Sequence, residues 1–178
     1  MTDHSGSDWR FISVAADAQG PEAARPWVSA AAATFPTYVD AGNELGRAFG
    51  YQAIPVGIFV NPGGTVAYVK MPFSIDETED VAALEAFLAG RAPVAPAAQG
   101  LEGRAEAVET FAEGAALLAR GEKQQALGRW RNALNVDPDS YIIRKQIWAV
   151  EHPERFYPAI DSGWQDEVLA RERDGDRT

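Results

Sequence analysis

No cysteine occurs among the 178 residues of this chain. Because the thiolate is the nucleophile of dithiol exchange, this chain by itself cannot carry out that reaction. Disulfide bonds are excluded for the same reason. Histidine is almost as scarce, since only His4 and His152 are present and neither has a partner at metal-ligand spacing. We therefore expect no metal site, and no motif predicts a cofactor.

Basic residues are also few. The chain carries 16 lysine and arginine residues against 26 aspartate and glutamate residues, so its formal net charge is −10. Nucleic-acid binding needs a basic face, and we expect no nucleic-acid partner. No apolar run approaches the ~18 residues of a membrane helix, and residues 1–8 lack the features of a secretory signal. We therefore expect a cytoplasmic protein that binds no membrane.

Apolar and aromatic residues, by contrast, are abundant enough for a buried core. Hydrophobic residues make up 46% of the chain, and five Trp, five Tyr and eight Phe are too many for a disordered protein. The apolar run at residues 10–16 predicts a short buried strand. A helix is predicted to begin near Pro21 or Glu22. Residues 35–40 look extended, and residues 43–49 predict a two-turn helix closed by Gly50.

The clearest local pattern is a β-hairpin. Residues 55–60 and 65–70 flank Asn61-Pro62-Gly63-Gly64, a segment rich in turn-forming residues. An amphipathic helix follows over residues 76–89, and its acidic first turn complements the helix dipole. We interpret the carboxylates at residues 76–80 as a solvated helix start, because a catalytic pair needs a facing partner and a pocket.

Three segments together resemble the thioredoxin-like redoxins, a group that includes peroxiredoxins and thiol–disulfide oxidoreductases. They are FPTYVD at residues 35–40, LGRAFGY at residues 45–51 and AIPVGIFVNPGG at residues 53–64. The resemblance implies a thioredoxin-like α/β domain over residues 1–92. It also implies a cis peptide bond between Ile54 and Pro55, beside which backbone groups of the family pair with extended peptides.

The front of the family's fold is missing from this chain. The family has a strand and a cysteine-bearing helix ahead of the strand at Arg10, and such a unit needs about 30 residues. Only nine residues precede Arg10. Because the missing strand lies between the two halves of the family's sheet, its absence implies unpaired edges. The sheet then closes on itself, is completed by a second copy or by another protein, or belongs to a longer native chain.

A change of composition marks a domain boundary. Residues 93–100 form a Pro/Ala-rich linker without periodicity. Residues 101–178 then predict an all-α domain that resembles one tetratricopeptide (TPR) repeat, a helix–turn–helix unit of about 34 residues. Small Gly114 lets the two helices approach and Trp130 fills the space between them. The seven matching positions are Gly114, Leu117, Gly121, Ala126, Trp130, Ala133 and Pro138.

One such repeat cannot bury its own apolar face. It must therefore pack on the helix predicted over residues 141–150, on the thioredoxin-like part or on another copy. A short last helix is predicted over residues 164–171, and residues 171–178 are expected to fray.

Six residues are candidates for binding a peptide. Backbone groups beside Ile54 and Pro55 are candidates for pairing with an extended chain. The cations of Arg129, Arg144 and Lys145 are candidates for an acidic peptide end, and Trp148 is the aromatic candidate. A solvated helix face and a helix core are the alternative interpretations of these last four residues.

The predicted fold is therefore a truncated thioredoxin-like domain followed by an all-α TPR-like domain. The function that this pattern favours is a non-catalytic protein-binding or scaffold role, with a protein or peptide partner and self-association that completes the sheet. The alternative is a thiol–disulfide or peroxide redox enzyme whose catalytic cysteine segment is missing from this chain. No other group of residues predicts catalysis.

Overall fold

A computed structural model describes residues 9–50, 53–93 and 105–175. These ranges do not include residues 1–8, among them His4, or residues 94–100 of the predicted linker. Within them the chain forms four strands and seven α-helices, which confirms the mixed α/β class. None of these helices is long and apolar enough to cross a membrane. The elements are β1 (Ser13–Ala15), α1 (Pro21–Ala30), β2 (Thr37–Val39), α2 (Glu44–Phe49), β3 (Gly57–Val60), β4 (Val66–Lys70), α3 (Thr78–Leu88), α4 (Ala105–Ala119), α5 (Lys123–Val136), α6 (Tyr141–Glu151) and α7 (Ser162–Gly175).

The four described strands form two separate sheets of two strands each. β1 and β2 pair in parallel, with Ser13 opposite Thr37. The strand predicted over residues 10–16 is therefore shorter than expected. β3 and β4 form the predicted antiparallel hairpin, and the N–H of Asn61 donates to the carbonyl oxygen of Thr65 at 2.8 Å across the turn.

Helix ends in the first half follow the predicted signals. α1 begins at Pro21, and α2 ends where Gly50 adopts a φ of 65°. Glycine takes this left-handed conformation without a Cβ clash, so the predicted helix end at Gly50 is confirmed. The Ile54–Pro55 peptide bond is cis.

A small aromatic core lies under the hairpin and α3. The ring of Phe59 stacks on Tyr68 and Phe87, with centroid distances of 4.7 and 5.1 Å. Trp9 covers Phe87 from the chain's beginning, and its Nε1–H donates to the carbonyl oxygen of Leu88 at 3.2 Å. These contacts tie the first described residue to the end of α3.

One member of the acidic segment is buried rather than solvated. Asp80 is only 1% exposed, and its carboxylate accepts hydrogen bonds from Lys70 Nζ and from the backbone N–H of Ser74. The interpretation of residues 76–80 as a solvated helix start is wrong for this residue. A cation on the neighbouring strand compensates its burial, and spacing along one helix does not reveal such a partner.

The predicted helix–turn–helix unit is present as α4 and α5. Trp130 is fully buried between them, and its Nε1–H donates to the carbonyl oxygen of Phe111 at 3.0 Å. A Cβ placed on Gly114 would lie 2.5 Å from Trp130 Cδ1 and 3.1 Å from the carbonyl oxygen of Ala126. The prediction that Gly114 permits close approach of the two helices is therefore confirmed.

The last two helices differ in how well the sequence predicted them. α6 spans Tyr141–Glu151, close to the prediction, whereas α7 spans Ser162–Gly175 and is longer at both ends. The prediction that the chain frays from residue 171 is wrong for residues 171–175, which belong to α7. Glu172 bonds to Arg144 and accepts a hydrogen bond of 2.9 Å from Trp148 Nε1, which holds this part of α7 against α6.

Both halves of the chain contribute to one core. Ala18, in the loop after β1, is buried in the same cluster as Phe111, Trp130 and Ile147. Arg47 of α2 pairs with Glu109 of α4 at 2.7 Å. Of the three packing partners expected for the repeat-like unit, two are therefore in use, namely α6 and the first half of the chain.

Replacing Gly114 by alanine tests the close approach of α4 and α5. The added Cβ meets the fully buried Trp130, so we expect G114A to lower the free energy of unfolding by about 1–3 kcal/mol, measured by urea denaturation. Gly128 in α5 is the matched control, because nothing lies within 4 Å of a Cβ there. G128A should raise stability by about 0.5–1 kcal/mol through helix propensity. Equal effects at both sites would contradict the packing described.

The Asp80 ion pair predicts a specific pH dependence. Hydrogen bonding from Lys70 and then from Ser74 lowers the pKa of the Asp80 carboxyl group below its ordinary value of 3.8. A carboxyl group with a lowered pKa stabilises the fold above its unfolded pKa, and this contribution is lost as the pH falls through the folded pKa. D80N should therefore be less stable than the wild type at neutral pH, and the difference should shrink below pH 3.8.

The exposed Asp76 supplies the control, since D76N removes the same charge from the same segment. Thermal unfolding of the three proteins between pH 2 and pH 7 measures the effect. A stability difference between D80N and the wild type that stays constant with pH would show that ionisation of Asp80 is not the cause.

Candidate functional site

An open cavity of about 440 Å³ lies along β1, between α1 and α6. Its volume falls in the range of ligand-binding pockets. We call it the β1 groove. Its walls are residues 13–17, the facing sides of α1 and α6, and Ile54 beside the cis-proline bond. Its main apolar side chains are Phe11, Val14, Trp27, Ile54, Ile142 and Phe156.

The groove runs along the free edge of β1. Residues 13–17 all line the cavity, and so does Thr37 of β2, whose hydroxyl group lies 2.7 Å from that of Ser13, so the groove also includes part of one face of the β1–β2 pair. The other edge is paired with β2, where the N–H of Ser13 donates to Pro36 at 3.0 Å and the carbonyl oxygen of Ala15 accepts from Asp40 at 2.8 Å. Backbone groups of the odd-numbered residues thus face β2. Those of the even-numbered residues, including Val14, face the groove.

One side chain of α6 pairs with this free edge. Gln146 is 8% exposed, and its Oε1 accepts from the N–H of Ala18 at 2.9 Å. Its Nε2 donates to the carbonyl oxygen of Ala16 at 3.3 Å. A single amide therefore bonds to the edge after β1 as a neighbouring strand would, and it lines the groove at this point.

A second polar contact joins the same loop to the residues after α6. Tyr157 O–H donates to Asp17 Oδ2 at 3.2 Å and accepts from Gln19 Nε2 at 3.1 Å. Burial raises the pKa of the Asp17 carboxyl group, although its hydrogen bonds from Gln19 and Tyr157 act in the opposite direction. Burial, followed by the charge of Asp17, raises the pKa of the Tyr157 hydroxyl group. Asp17 Oδ1 accepts from the N–H of Gln19 at 2.9 Å, so both oxygens of Asp17 accept hydrogen bonds.

Lys145 is the cation of the groove. It lines the cavity from α6, and its Nζ lies 4.7 Å from the ring centroid of Tyr141. Burial lowers the pKa of its ammonium group. Among the described residues it forms no ion pair, in contrast to Arg144 and Arg129 on the same half of the chain.

The candidate residues from the sequence do not form one site. Ile54 and Lys145 both line the β1 groove. The carbonyl oxygen of Pro55, by contrast, already accepts a hydrogen bond of 3.0 Å from the N–H of Phe73. Arg129 lies on α5 and pairs with Glu113 at 3.5 Å.

Arg144 and Trp148 lie at a second cavity of about 330 Å³ between α5, α6 and α7. Arg144 bonds to Glu172 and to the carbonyl oxygen of Pro138. Trp148 is 3% exposed, and its Nε1–H also donates to Glu172. Here the charged and aromatic side chains are engaged in holding α7 against α6.

Sequence reasoning missed Gln146, Asp17 and the role of Tyr157. One signal was available for Gln146, because spacings of three and four residues place it on the same face of α6 as the apolar Ile143 and Val150. A buried amide requires hydrogen-bond partners. Its partners could not be identified, since they lie 128 and 130 residues away along the chain.

The chemistry of the groove is that of binding. Its surface is largely apolar, with the ammonium group of Lys145, which pairs with no carboxylate among the described residues, and several backbone groups of a strand edge. Within the described ranges, no three His, Cys, Asp or Glu residues come together to hold a metal ion. His152 packs on Trp164 and lies 3.6 Å from Glu154, outside the groove.

Removing the Gln146 amide tests its pairing with β1. Q146A leaves the N–H of Ala18 and the carbonyl oxygen of Ala16 without this partner, and we expect a loss of about 1–3 kcal/mol in unfolding free energy. Q124A changes an exposed glutamine of α5 and should stay within about 0.5 kcal/mol of the wild type. Hydrogen exchange should show faster exchange at the Ala18 amide in Q146A alone. Unchanged protection of that amide would contradict the pairing.

Comparison with known proteins gives no relative from which a function could be transferred. No family model, curated protein or solved structure matches the chain. The residues of the β1 groove therefore carry the functional conclusion by themselves.

Proposed function

We propose that this protein is a non-catalytic binding protein whose β1 groove takes an extended segment of another polypeptide. In this proposal the first half is a thioredoxin-like domain without its cysteine-bearing strand and helix, and the second half is a TPR-like helical unit. The segment comes from a partner protein or from a second copy of this chain.

The arrangement of the strands supports this view of the first half. β1 and β2 are parallel, β3 and β4 form a hairpin, and the two pairs lie in separate sheets. In the thioredoxin-like redoxins a strand lies between the corresponding pairs. A chain that lacks this strand is expected to have a free edge on β1, which is the edge that lines the groove.

The uncovered edge of β1 is the observation that carries the proposal. Unpaired N–H and C=O groups on a strand edge are a template for pairing with another chain. Large apolar side chains surround this edge and are exposed, which is typical of a contact surface. They include Phe11, Ile12, Val14, Phe35 and Ile54. Strand addition to such an edge is a common mode of peptide recognition.

A redox function is the second candidate, and the division of the four described strands into two separate sheets favours it. If the missing strand and its cysteine are supplied by another segment, that segment would occupy the β1 groove. The two candidates therefore predict occupation of one site by polypeptides of different chemistry. Identifying the occupant separates them.

Site-specific photo-crosslinking in the source cells tests the proposal. Ile54 lines the groove and is 52% exposed, so p-benzoylphenylalanine at this position should crosslink to the bound segment. Val136, at the end of α5, is 41% exposed and lies outside the groove, which makes it the matched control. We expect a discrete crosslinked band from position 54 that is absent from position 136.

Mass spectrometry of the crosslinked peptide then identifies the occupant. A cysteine-free segment of another protein or of a second copy supports the binding function. A segment that carries a Cys-x-x-Cys or a peroxidatic cysteine supports the redox alternative. Crosslinks of equal yield from both positions, or from neither, would refute occupation of the groove.

A further inference from the structure

The free edge of β1 fixes the number of bonds that a bound segment can form. The backbone groups of the even-numbered residues face the groove. Before the point on β1 where Gln146 bonds, four of these groups have no hydrogen-bond partner among the described residues. They are the carbonyl oxygen of Ile12, both groups of Val14 and the N–H of Ala16. In a parallel ladder every second residue of the neighbouring strand forms two hydrogen bonds, one through its N–H and one through its carbonyl oxygen. Two alternate residues of a segment, a span of three, therefore fill this edge.

Gln146 sets the direction of that segment. Its amide donates to the carbonyl oxygen of Ala16 and accepts from the N–H of Ala18, so it bonds on both sides of Asp17. One residue of a parallel neighbour makes this pair of bonds, whereas an antiparallel neighbour makes them from two different residues. Gln146 thus occupies the next place in a parallel strand along β1. A segment that continues this pattern runs parallel to β1, and its carboxyl end arrives at Gln146.

The two charged residues that line the groove, Lys145 and Asp17, are the chain neighbours of Gln146 and of its partners Ala16 and Ala18. Lys145 precedes Gln146 on α6, lines the same cavity and has no ion-pair partner among the described residues. Asp17 is the other charged residue that lines the cavity, and its two oxygens accept hydrogen bonds from Gln19 and Tyr157. A parallel segment would bring its carboxyl end to Lys145. An antiparallel segment would bring an ammonium group or a blocked amine there.

We propose that the occupant of the β1 groove is the free C-terminal tail of a partner protein, parallel to β1 and apolar, with its terminal carboxylate paired with Lys145. The inference rests on the extended-segment binding proposed above and adds the direction and the chemical end of the segment. A carboxylate in a partly buried site forms charge-assisted hydrogen bonds, which are about twice as strong as neutral ones.

Selection from two matched peptide pools tests this inference. Both pools contain N-acetylated hexapeptides whose last four positions are randomised among valine, isoleucine, leucine, phenylalanine and threonine. One pool ends in free carboxylates and the other in carboxamides. After incubation with the full chain, size exclusion and mass spectrometry measure the recovered peptides. We expect free acids to be recovered about tenfold more than the corresponding amides.

Two variants show whether Lys145 causes the preference. K145M keeps a long apolar side chain without the charge and should reduce the ratio of acid to amide to about one. R129M removes a cation on α5 that pairs with Glu113 and should leave the ratio unchanged. Equal recovery of acids and amides by the wild type refutes the C-terminal specificity while extended-segment binding survives. Recovery of neither pool refutes both proposals.

N-methylation of the best-recovered peptide tests the strand pairing without altering the protein. In a parallel ladder alternate N–H groups of the segment face β1 and the intervening ones face away. Methylation should therefore weaken binding by about tenfold or more at alternate residues and have little effect between them. An effect without this period of two would refute strand addition along β1.

Discussion

Two hydrogen bonds from one buried amide hold the β1 groove in its present form. The Gln146 side chain joins the end of β1 to α6, and it satisfies backbone groups of Ala16 and Ala18 that would otherwise lie unpaired against the helices. The same amide lines the groove. The position of Ala18 in the core of the helical half also depends on this loop being held in place. Loop, groove and helical core are therefore parts of one arrangement.

The groove exposes apolar surface that a self-contained domain would bury. One edge of β1 pairs with β2. At the other edge, among the described residues, only the amide of Gln146 bonds, at the carboxyl end, and exposed side chains such as Phe11 and Ile12 lie near this strand. The aromatic core under the hairpin and the core around Trp130 are by contrast well enclosed. The fold thus encloses these two groups of aromatic residues, and it leaves apolar side chains exposed beside the unpaired edge of β1.

The sequence predicted those features of the fold that depend on residues close to one another along the chain. The hairpin follows from turn residues between two apolar runs, and the contact of Gly114 with Trp130 follows from helical spacing. The pairing of Gln146 with β1, the ion pair of Asp80 and the extension of α7 by Glu172 depend on residues brought together only by folding. Of the candidate site residues, Ile54 and Lys145 share the groove, although no pattern in the sequence indicated that they lie together.

The amide at position 146 has a consequence for sequence variation. Only glutamine and asparagine offer a carbonyl acceptor and an N–H donor on one planar group, and asparagine is shorter by one methylene. Glutamate would face the carbonyl oxygen of Ala16 with a second acceptor, and leucine or methionine would offer neither atom. Proteins that keep this groove should therefore retain glutamine at this point of an apolar helix, even where the surrounding aliphatic residues interchange freely.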